Sequence, residues 1–269
     1  MTTLQPSQHL LSLMKIAHTA GARIMDIYND DFEVATKADA SPVTEADIAA
    51  ESIILAGLKA IDPAANIIAE EAVSAGATPE VTRKFYLVDP LDGTREFISR
   101  NGEFTVNIAL VQDGAPVAGV VYAPALSTLY AGEMSSGAFE TSLKADENFP
   151  GAPALKQIVC PALPASGIKV VASRSHRDEK TDAWLAQRDV AEIVAAGSSL
   201  KFCLLASGKA HLYPRFGRTM EWDTAAGHAV LAAAGGEVFE ATGELLRYGK
   251  TGRGFDNPAF IASVSATGC

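Results

Sequence analysis

The sequence lacks a long apolar run, a targeting signal and an excess of basic residues, and each absence excludes a class of protein. No stretch approaches the about 18 to 20 apolar residues that cross a membrane, so we expect no integral membrane segment. The first residues, MTTLQPSQHL, show no basic region followed by an apolar stretch, so we expect no signal peptide. The expected location is therefore cytoplasmic, with peripheral association at the inner membrane left open.

Cysteine is also scarce in this chain. The three cysteines, Cys160, Cys203 and Cys269, are odd in number and far apart, which fits neither a disulfide framework nor a zinc site. We expect Cys160 and Cys203 to be small, partly buried residues and Cys269 to lie in a frayed tail. A reducing compartment is the simplest setting for such a chain.

The charge balance is acidic, with a net charge of −10 from 22 basic and 32 acidic residues. This balance argues against nucleic-acid binding, which requires basic surface. It permits a small phosphorylated ligand, because bound cations can reverse the field of an acidic pocket. The 269 residues are enough for one large domain or two closely packed ones.

Apolar periodicity and turn residues predict a mixed α and β protein without internal repeats. Helices are predicted from Thr44 onward and at 7–29, 178–188, 198–207 and 224–234. Strands are predicted at 66–69, 85–88, 104–111, 117–123, 128–131, 168–172, 192–195, 211–213, 237–239 and 260–264.

Two further features concern the organisation of the chain. Asp113 and Gly114 are predicted to form a hairpin turn between two of the strands. A shift in composition near residue 140 predicts an N-terminal lobe, residues 1–139, and a C-terminal lobe, residues 140–269. The polar stretch 140–166 contains several prolines and is expected to form surface loops.

The motif DPLDGT at residues 89–94 is the most informative part of the sequence. Asp89 and Asp92 are three residues apart, so a turn can direct both carboxylates and a carbonyl toward one point. Pro90 restricts the backbone between them, and Gly93 permits close backbone approach. Oxygen ligands of this kind, beside the start of a helix, suit a magnesium ion next to a phosphate. The alternative is an ordinary Asp/Pro/Gly turn at the end of a strand.

Three other acidic sites accompany this motif: Asp47, the Glu70 and Glu71 pair, and Asp223 at a predicted helix start. Taken singly, Asp47 can belong to a capping box, the glutamate pair can be solvated, and Asp223 can be an N-cap. Taken together, they can converge on one cleft. Carboxylates that close would repel each other strongly, so cations would have to compensate them.

The chain resembles the inositol monophosphatase superfamily in four segments, DPLDGTREF, WDTAAGHAVLAAAGG, AEEA and VTEAD, and the likeness runs from about residue 36 to the end. The resemblance implies an α/β (α+β) fold, a layered α/β/α/β/α sandwich with mixed and antiparallel sheets. It also implies a magnesium-dependent, lithium-sensitive phosphomonoesterase with two Mg²⁺ ions, joined by a third once substrate is bound.

Within the superfamily, the segments RNGEFTVNIAL and GSSLK resemble the bacterial 3′(2′),5′-bisphosphate nucleotidases. This branch removes the 3′-phosphate of adenosine 3′,5′-bisphosphate, a by-product of sulfate assimilation. The expected partner is thus a small phosphorylated nucleotide, not nucleic acid, and the expected assembly is a monomer or homodimer. The open alternatives are an inositol or sugar phosphatase of the same superfamily, and a regulator that binds metal and nucleotide without catalysis.

The resemblance also implies roles for individual residues. It matches the metal ligands to Glu70, Asp89, the Leu91 carbonyl, Asp92 and Asp223. It matches the catalytic residues to Asp47 and Thr94, which activate water, and to Glu70. It matches the substrate-binding residues to the Gly93 and Thr94 amides, Ser175, His176, Ser198, Lys201, Arg218 and Asp223.

Some of the substrate-side residues have simpler explanations that the sequence leaves open. Lys201 can be an exposed helix lysine, and His176 a surface histidine. Arg215 and Arg218 can either bind phosphate or neutralise nearby acid. Trp222 is expected to pack in the core instead of stacking on a base.

Overall fold

The computed structural model describes residues 5–30, 34–36, 42–173 and 179–265. The helices in these ranges are α1 (Gln8–Asn29), α2 (Glu45–Ile61), α3 (Glu70–Ser74), α4 (Thr94–Ile98), α5 (Glu179–Leu185), α6 (Leu200–Ala206) and α7 (Trp222–Ala233). The strands are β1 (Val34–Thr36), β2 (Pro42–Thr44), β3 (Ile67–Ala69), β4 (Lys84–Asp92), β5 (Thr105–Gln112), β6 (Ala115–Ala123), β7 (Thr128–Glu133), β8 (Gly137–Ser142), β9 (Lys156–Ile158), β10 (Ile168–Ser173), β11 (Val190–Ala196), β12 (Leu212–Arg215), β13 (Glu237–Glu240) and β14 (Phe260–Ser263).

The larger sheet has seven strands in sequential order from β3 to β9. The pair β3 and β4 is parallel and the other neighbours are antiparallel. The predicted hairpin turn is confirmed, because Asp113 and Gly114 join β5 to β6 with φ angles of 51° and 75°. Positive φ at both central residues matches the twist of the strands that such a turn connects.

The smaller sheet has five strands in the order β11-β10-β12-β14-β13. Strands β11, β10 and β12 are parallel, and β14 pairs antiparallel with both β12 and β13. The short strands β1 and β2 form a separate two-stranded sheet just before α2.

Side-chain alternation along β4 explains how the layers stack. Phe85 and Leu87 face the cluster that contains α6 and α7, whereas Tyr86 and Val88 face the cluster that contains α1 and α2. Because both faces of the strand are covered, its sequence is continuously apolar. Leu185 of α5 packs on the outer side of the smaller sheet. The layers thus run α1/α2, large sheet, α6/α7, small sheet, α5, which confirms the predicted fold class.

Helix α7 lies unusually close to the large sheet. A β-carbon added to Gly119 on β6 would come within 2.6 Å of the Ala226 carbonyl oxygen and 2.8 Å of the Ala229 β-carbon. Only glycine on the strand and small residues on the helix allow this approach. The contact sets the depth of α7, and therefore the position of Asp223 in its first turn.

The stretch 140–166 is more ordered than predicted. Strand β8 extends to Ser142, and Lys156–Ile158 forms the edge strand β9 of the large sheet. The prediction of loops throughout was wrong here, because a three-residue strand is too short to show alternation. The division into lobes 1–139 and 140–269 stays a prediction. No helix in the described ranges combines the length and apolar character needed to cross a membrane.

We expect Gly119→Ala to lower the free energy of unfolding by about 1 to 3 kcal/mol, the usual cost of overpacking a core. The added methyl group must push α7 away from the sheet, since the nearest atoms belong to helix backbone. Denaturant titration measures the effect. Gly151→Ala is the matched control, because no atom lies within 4 Å of its added β-carbon. Equal stability of both variants would contradict this account of the packing.

Candidate active site

A β-bulge in β4 places the first two aspartates. The register runs from the pair Asp89 and Asn107 to the pair Asp92 and Thr105, so β4 has one more residue than β5 between these pairs. Residues three apart in a regular strand point to opposite faces, and the extra residue cancels that alternation. The sequence predicted a turn between the two aspartates, and this was wrong, because β4 continues to Asp92. The bulge, and not a turn, therefore sets the relative direction of the two aspartate side chains.

Gly93 ends the strand and begins helix α4. Its φ of 94° and ψ of 44° are left-handed, and an added β-carbon would lie 2.3 Å from the Ser198 hydroxyl oxygen. The left-handed backbone conformation and the lack of room for a β-carbon therefore both require glycine at this position. Helix α4 has five residues, so its macrodipole is small and its first amides act as local hydrogen-bond donors.

Asp47 serves two neighbours at once. Its Oδ2 atom accepts hydrogen bonds from the Thr44 amide at 2.8 Å and the Thr44 hydroxyl at 2.7 Å. The bond from the amide is one half of the capping box of α2, and the Thr44 side chain completes the box by accepting from the Asp47 amide. Its Oδ1 atom accepts a hydrogen bond from the Thr94 hydroxyl at 3.3 Å. The capping role and the contact with Thr94, which looked like alternatives in the sequence, therefore coexist in one buried carboxylate.

Glu70 is held at the start of α3, directly after β3. The buried Glu51 side chain on α2 accepts hydrogen bonds from the Glu71 amide at 2.9 Å and the Ala72 amide at 3.1 Å. Glu51 thus caps a helix whose own N-cap, Ala69, has no side-chain acceptor. Sequence reasoning missed Glu51, although it lies one turn after Asp47 on the same helix.

Asp223 lies in the first turn of α7 and is not the N-cap, which is Glu221. Its Oδ2 atom accepts a hydrogen bond from the Met220 amide at 2.8 Å. The predicted packing role of Trp222 is met, because its buried ring lies 6.0 Å from that of Phe255.

Burial and mutual repulsion raise the pKa of all three aspartates. The pKa of Asp89 is raised well above its usual value by burial and then by Glu70, Asp92 and Asp223. The pKa of Asp223 is raised in the same way by burial, Asp92 and Glu70. Burial raises the pKa of Asp92 to about 6, although Lys201 and Ser199 oppose the shift. The four acidic residues from three segments therefore share one electrostatic environment.

The acidic set fits a hard cation that is partly coordinated by other ligands. Within the described ranges, no group of three or more acidic, histidine or cysteine side chains is arranged to hold a metal ion by itself. Magnesium needs no such cage, since it usually takes one or two carboxylates and completes its shell with water and substrate phosphate. Glu70 is one of the causes of the raised pKa of Asp89, so these two carboxyl groups lie close enough for their charges to need compensation. A divalent cation can supply the same compensation.

Most of the predicted residues line one open cleft with a volume of about 330 Å³, within the range of small-ligand sites. Its walls include Glu70, Asp92, Gly93, Thr94, Ser198, Lys201, Arg218 and Asp223. Asp47 and Asp89 are buried behind this surface. Ser175 and His176 lie outside the described residues.

Basic residues line the same cleft. Lys201 is 7% exposed, so the alternative of a surface lysine is excluded, and burial lowers its pKa to about 8 against the influence of Asp92. Arg215 also lines the cleft. Arg218 lies at the rim, where its Nε atom contacts Asp256 Oδ1 at 2.7 Å and 66% of its side chain is exposed.

Ser198 has a local structural role that the sequence did not predict. Its hydroxyl lies 2.9 Å from the Asp92 carbonyl oxygen and 2.7 Å from the Glu103 carbonyl oxygen. It therefore connects the end of β4 to the segment that follows α4. Two further buried residues escaped the sequence analysis, Asn107 and Ser199, which both contact Asp92 Oδ2.

Comparison with known proteins finds similarity over nearly the whole length of the chain. The model of the inositol monophosphatase family matches residues 6–265. The 3′(2′),5′-bisphosphate nucleotidase CysQ of Salmonella typhimurium is 45% identical over 259 residues, covering 95% of this chain and 99% of that protein. The protein of the same name from Escherichia coli is 45% identical over 254 residues, covering 93% and 97%.

A solved structure agrees with these sequence relationships. The crystal structure of CysQ from Bacteroides thetaiotaomicron, a bacterial member of the inositol monophosphatase family, matches with a TM-score of 0.80 and 40% identity. The match covers 95% of this chain and 96% of that one. This chain therefore belongs to the inositol monophosphatase family.

Proposed function

We propose that this protein is a 3′(2′),5′-bisphosphate nucleotidase that hydrolyses adenosine 3′,5′-bisphosphate to AMP and phosphate. The observation that carries the proposal is a single cleft lined both by the acidic residues Glu70, Asp92 and Asp223 and by the basic residues Lys201, Arg215 and Arg218. Such a cleft suits a substrate with two phosphates, one among cations and one beside basic side chains. The similarity to nucleotidases over at least 93% of the chain supports this choice of substrate.

The family consists of metal-dependent phosphatases, and we assign Mg²⁺ as the metal of this site. Its ligands are Glu70, Asp89, the Leu91 carbonyl, Asp92 and Asp223. The site would take two ions, with a third joining once substrate adds its own oxygens, and lithium would inhibit. When bound, the ions activate water and stabilise charge on the phosphoryl oxygens.

Asp47 and Thr94 position the attacking water. The Thr94 hydroxyl donates to Asp47 Oδ1, so the lone pairs of its oxygen can accept a hydrogen bond from water. The two hydrogen bonds from Thr44 hold the Asp47 carboxylate in place. The water proton can then pass to Thr94 as the Thr94 proton passes to Asp47. Glu70, held by the short helix α3, fixes the side from which water approaches.

The other residues hold the substrate. The Gly93 and Thr94 amides bind the phosphoryl group as local donors at the start of α4. Lys201 and Arg218 bind the second phosphate, and Ser198 fixes the loop between these two subsites. Ser175 and His176 stay predicted nucleotide contacts. The enzyme would work in the cytoplasm as a monomer or homodimer, on a by-product of sulfate assimilation.

Phosphate release from a substrate panel tests the proposed function. Adenosine 3′,5′-bisphosphate should give the highest kcat/KM, ahead of its sulfated analogue, inositol 1-phosphate and fructose 1,6-bisphosphate. Magnesium removal should abolish the release and lithium should inhibit it. A preference for inositol 1-phosphate would identify an inositol phosphatase instead. Tight nucleotide binding without turnover in calorimetry would identify a regulator.

Asp92→Asn should lower kcat/KM by more than the about 10- to 100-fold typical of outer-shell partners of a metal. The change keeps the shape of the side chain and removes one charge that the ions require. Stability without metal should not fall, because the raised pKa shows that the fold disfavours this charge. Steady-state assays and thermal melts measure both effects. Asp26→Asn, at a residue with a 72% exposed side chain on α1, is the control. Activity within a few-fold of wild type would rule out Asp92 as a ligand.

Thr94→Ala should lower kcat by about 10²- to 10⁴-fold, the usual contribution of a positioned proton acceptor. The magnesium concentration for half-maximal activity should stay within a few-fold of wild type, because Thr94 is not an assigned ligand. Metal titrations of the steady-state rate separate the two effects. Thr19→Ala, which removes an exposed hydroxyl on α1, is the control. Equal losses in kcat and metal affinity would mean that Thr94 only shapes the loop.

A further inference from the structure

Two buried polar side chains, Asn107 and Ser199, lie behind the acidic wall of the cleft, each 1% exposed. The Asn107 amide nitrogen lies 2.9 Å from Ser199 Oγ and 3.4 Å from Asp92 Oδ2. The Ser199 hydroxyl lies 3.1 Å from the same Asp92 oxygen and 2.6 Å from the Asp223 carbonyl oxygen. The pair therefore links the end of β4 to the first turn of α7.

Asn107 can take only one orientation in this network. Its carbonyl oxygen accepts a hydrogen bond from the fully buried Thr105 hydroxyl at 3.1 Å. The reversed amide would turn that oxygen toward the Asp92 carboxylate and the nitrogen toward Thr105. Both amide hydrogens are thus used, one on Ser199 and one on Asp92.

The orientation of Asn107 determines what Ser199 does. Because Ser199 Oγ accepts a hydrogen bond from Asn107, its own single hydrogen is directed at Asp92 Oδ2 or the Asp223 carbonyl. Both donors to the Asp92 carboxylate meet on Oδ2. Among the described residues, no hydrogen bond reaches Oδ1, which leaves this oxygen for the cleft.

Both residues are unusual for the places in the fold that they occupy, a helix N-cap for Ser199 and the inside of a buried strand for Asn107. Ser199 is the N-cap of α6, yet its side chain makes no capping hydrogen bond. A serine at an N-cap ordinarily stabilises its helix by accepting a hydrogen bond from the first turn, and α6 lacks that stabilisation. Asn107 occupies an inner position of a strand whose residues from Thr105 to Val111 are all buried. Departures of this kind concentrate at functional sites.

We infer that Asn107 and Ser199 are positioning residues, which hold the Asp92 carboxylate and connect it to the segment that carries Asp223. This connection keeps the two proposed metal ligands, which come from different parts of the chain, at the relative positions that metal binding requires. This inference rests on the proposed ligands of the site. Outer-shell partners of this type commonly contribute about 10- to 100-fold to metal affinity or activity.

The test is calorimetry with magnesium alone added to the substrate-free protein. Ser199→Ala and Asn107→Ala should each weaken magnesium binding by about tenfold or more. The double variant should lose little beyond the larger single loss, because each change breaks the same connection. Thermal melts without metal should show a lower midpoint for Ser199→Ala, because the change leaves the buried Asn107 amide and the Asp223 carbonyl without this partner, so the calorimetry is run where each variant is fully folded.

Ser207→Ala is the matched control, because this hydroxyl also contacts a backbone carbonyl of α6 but lies at its far end. It should bind magnesium like the wild type. Unchanged affinity in both single variants, or strictly additive losses, would overturn the inference and leave a structural role. Since no phosphate ester is present, the result does not depend on the substrate. Magnesium binding without hydrolysis of the bisphosphate would refute the proposed function alone, whereas no magnesium binding by the wild type would overturn both.

Discussion

Repulsion among buried carboxylates is the constraint on which this structure depends. Asp89, Asp92 and Asp223 have raised pKa values because burial and their neighbours both disfavour charge. Bringing these groups together does not by itself stabilise the fold, because unpaired buried charges cost free energy. In the proposed site, cations among the carboxylates would compensate this repulsion. Stability would then be coupled to metal binding, as in other metal sites.

The frame that holds these groups combines rigid and strained parts. The bulge in β4 and the left-handed Gly93 deform the chain locally where the ligands must point inward. The close packing of α7 on Gly119 and Gly132 then fixes the other side of the cleft. Buried side chains join the two sides, so the acidic residues belong to one packed unit although they come from distant segments.

The sequence predicted much of the site, and its failures have physical causes. Asp89, Asp92, Glu70 and Asp223 were identified because acidic residues at the ends of apolar segments are unusual. Glu51, Asn107 and Ser199 were missed, because a single buried polar residue in a helix or strand has no local signature. The burial of Lys201 was also unresolved, since helical spacing alone does not reveal which face the neighbouring sheet covers.

The order of the elements, the position of the acidic motif and the resemblance to the family could be read from the residues alone, because these depend on local pattern. The folded arrangement was needed to show that β4 continues through a bulge, and that Asp47 takes part in the capping box of α2 while contacting Thr94. It also decided that the Ser199 hydroxyl turns away from its own helix toward Asp92 and Asp223. The physical reason is that hydrogen-bond choices among buried groups depend on neighbours from distant segments, which no local pattern encodes.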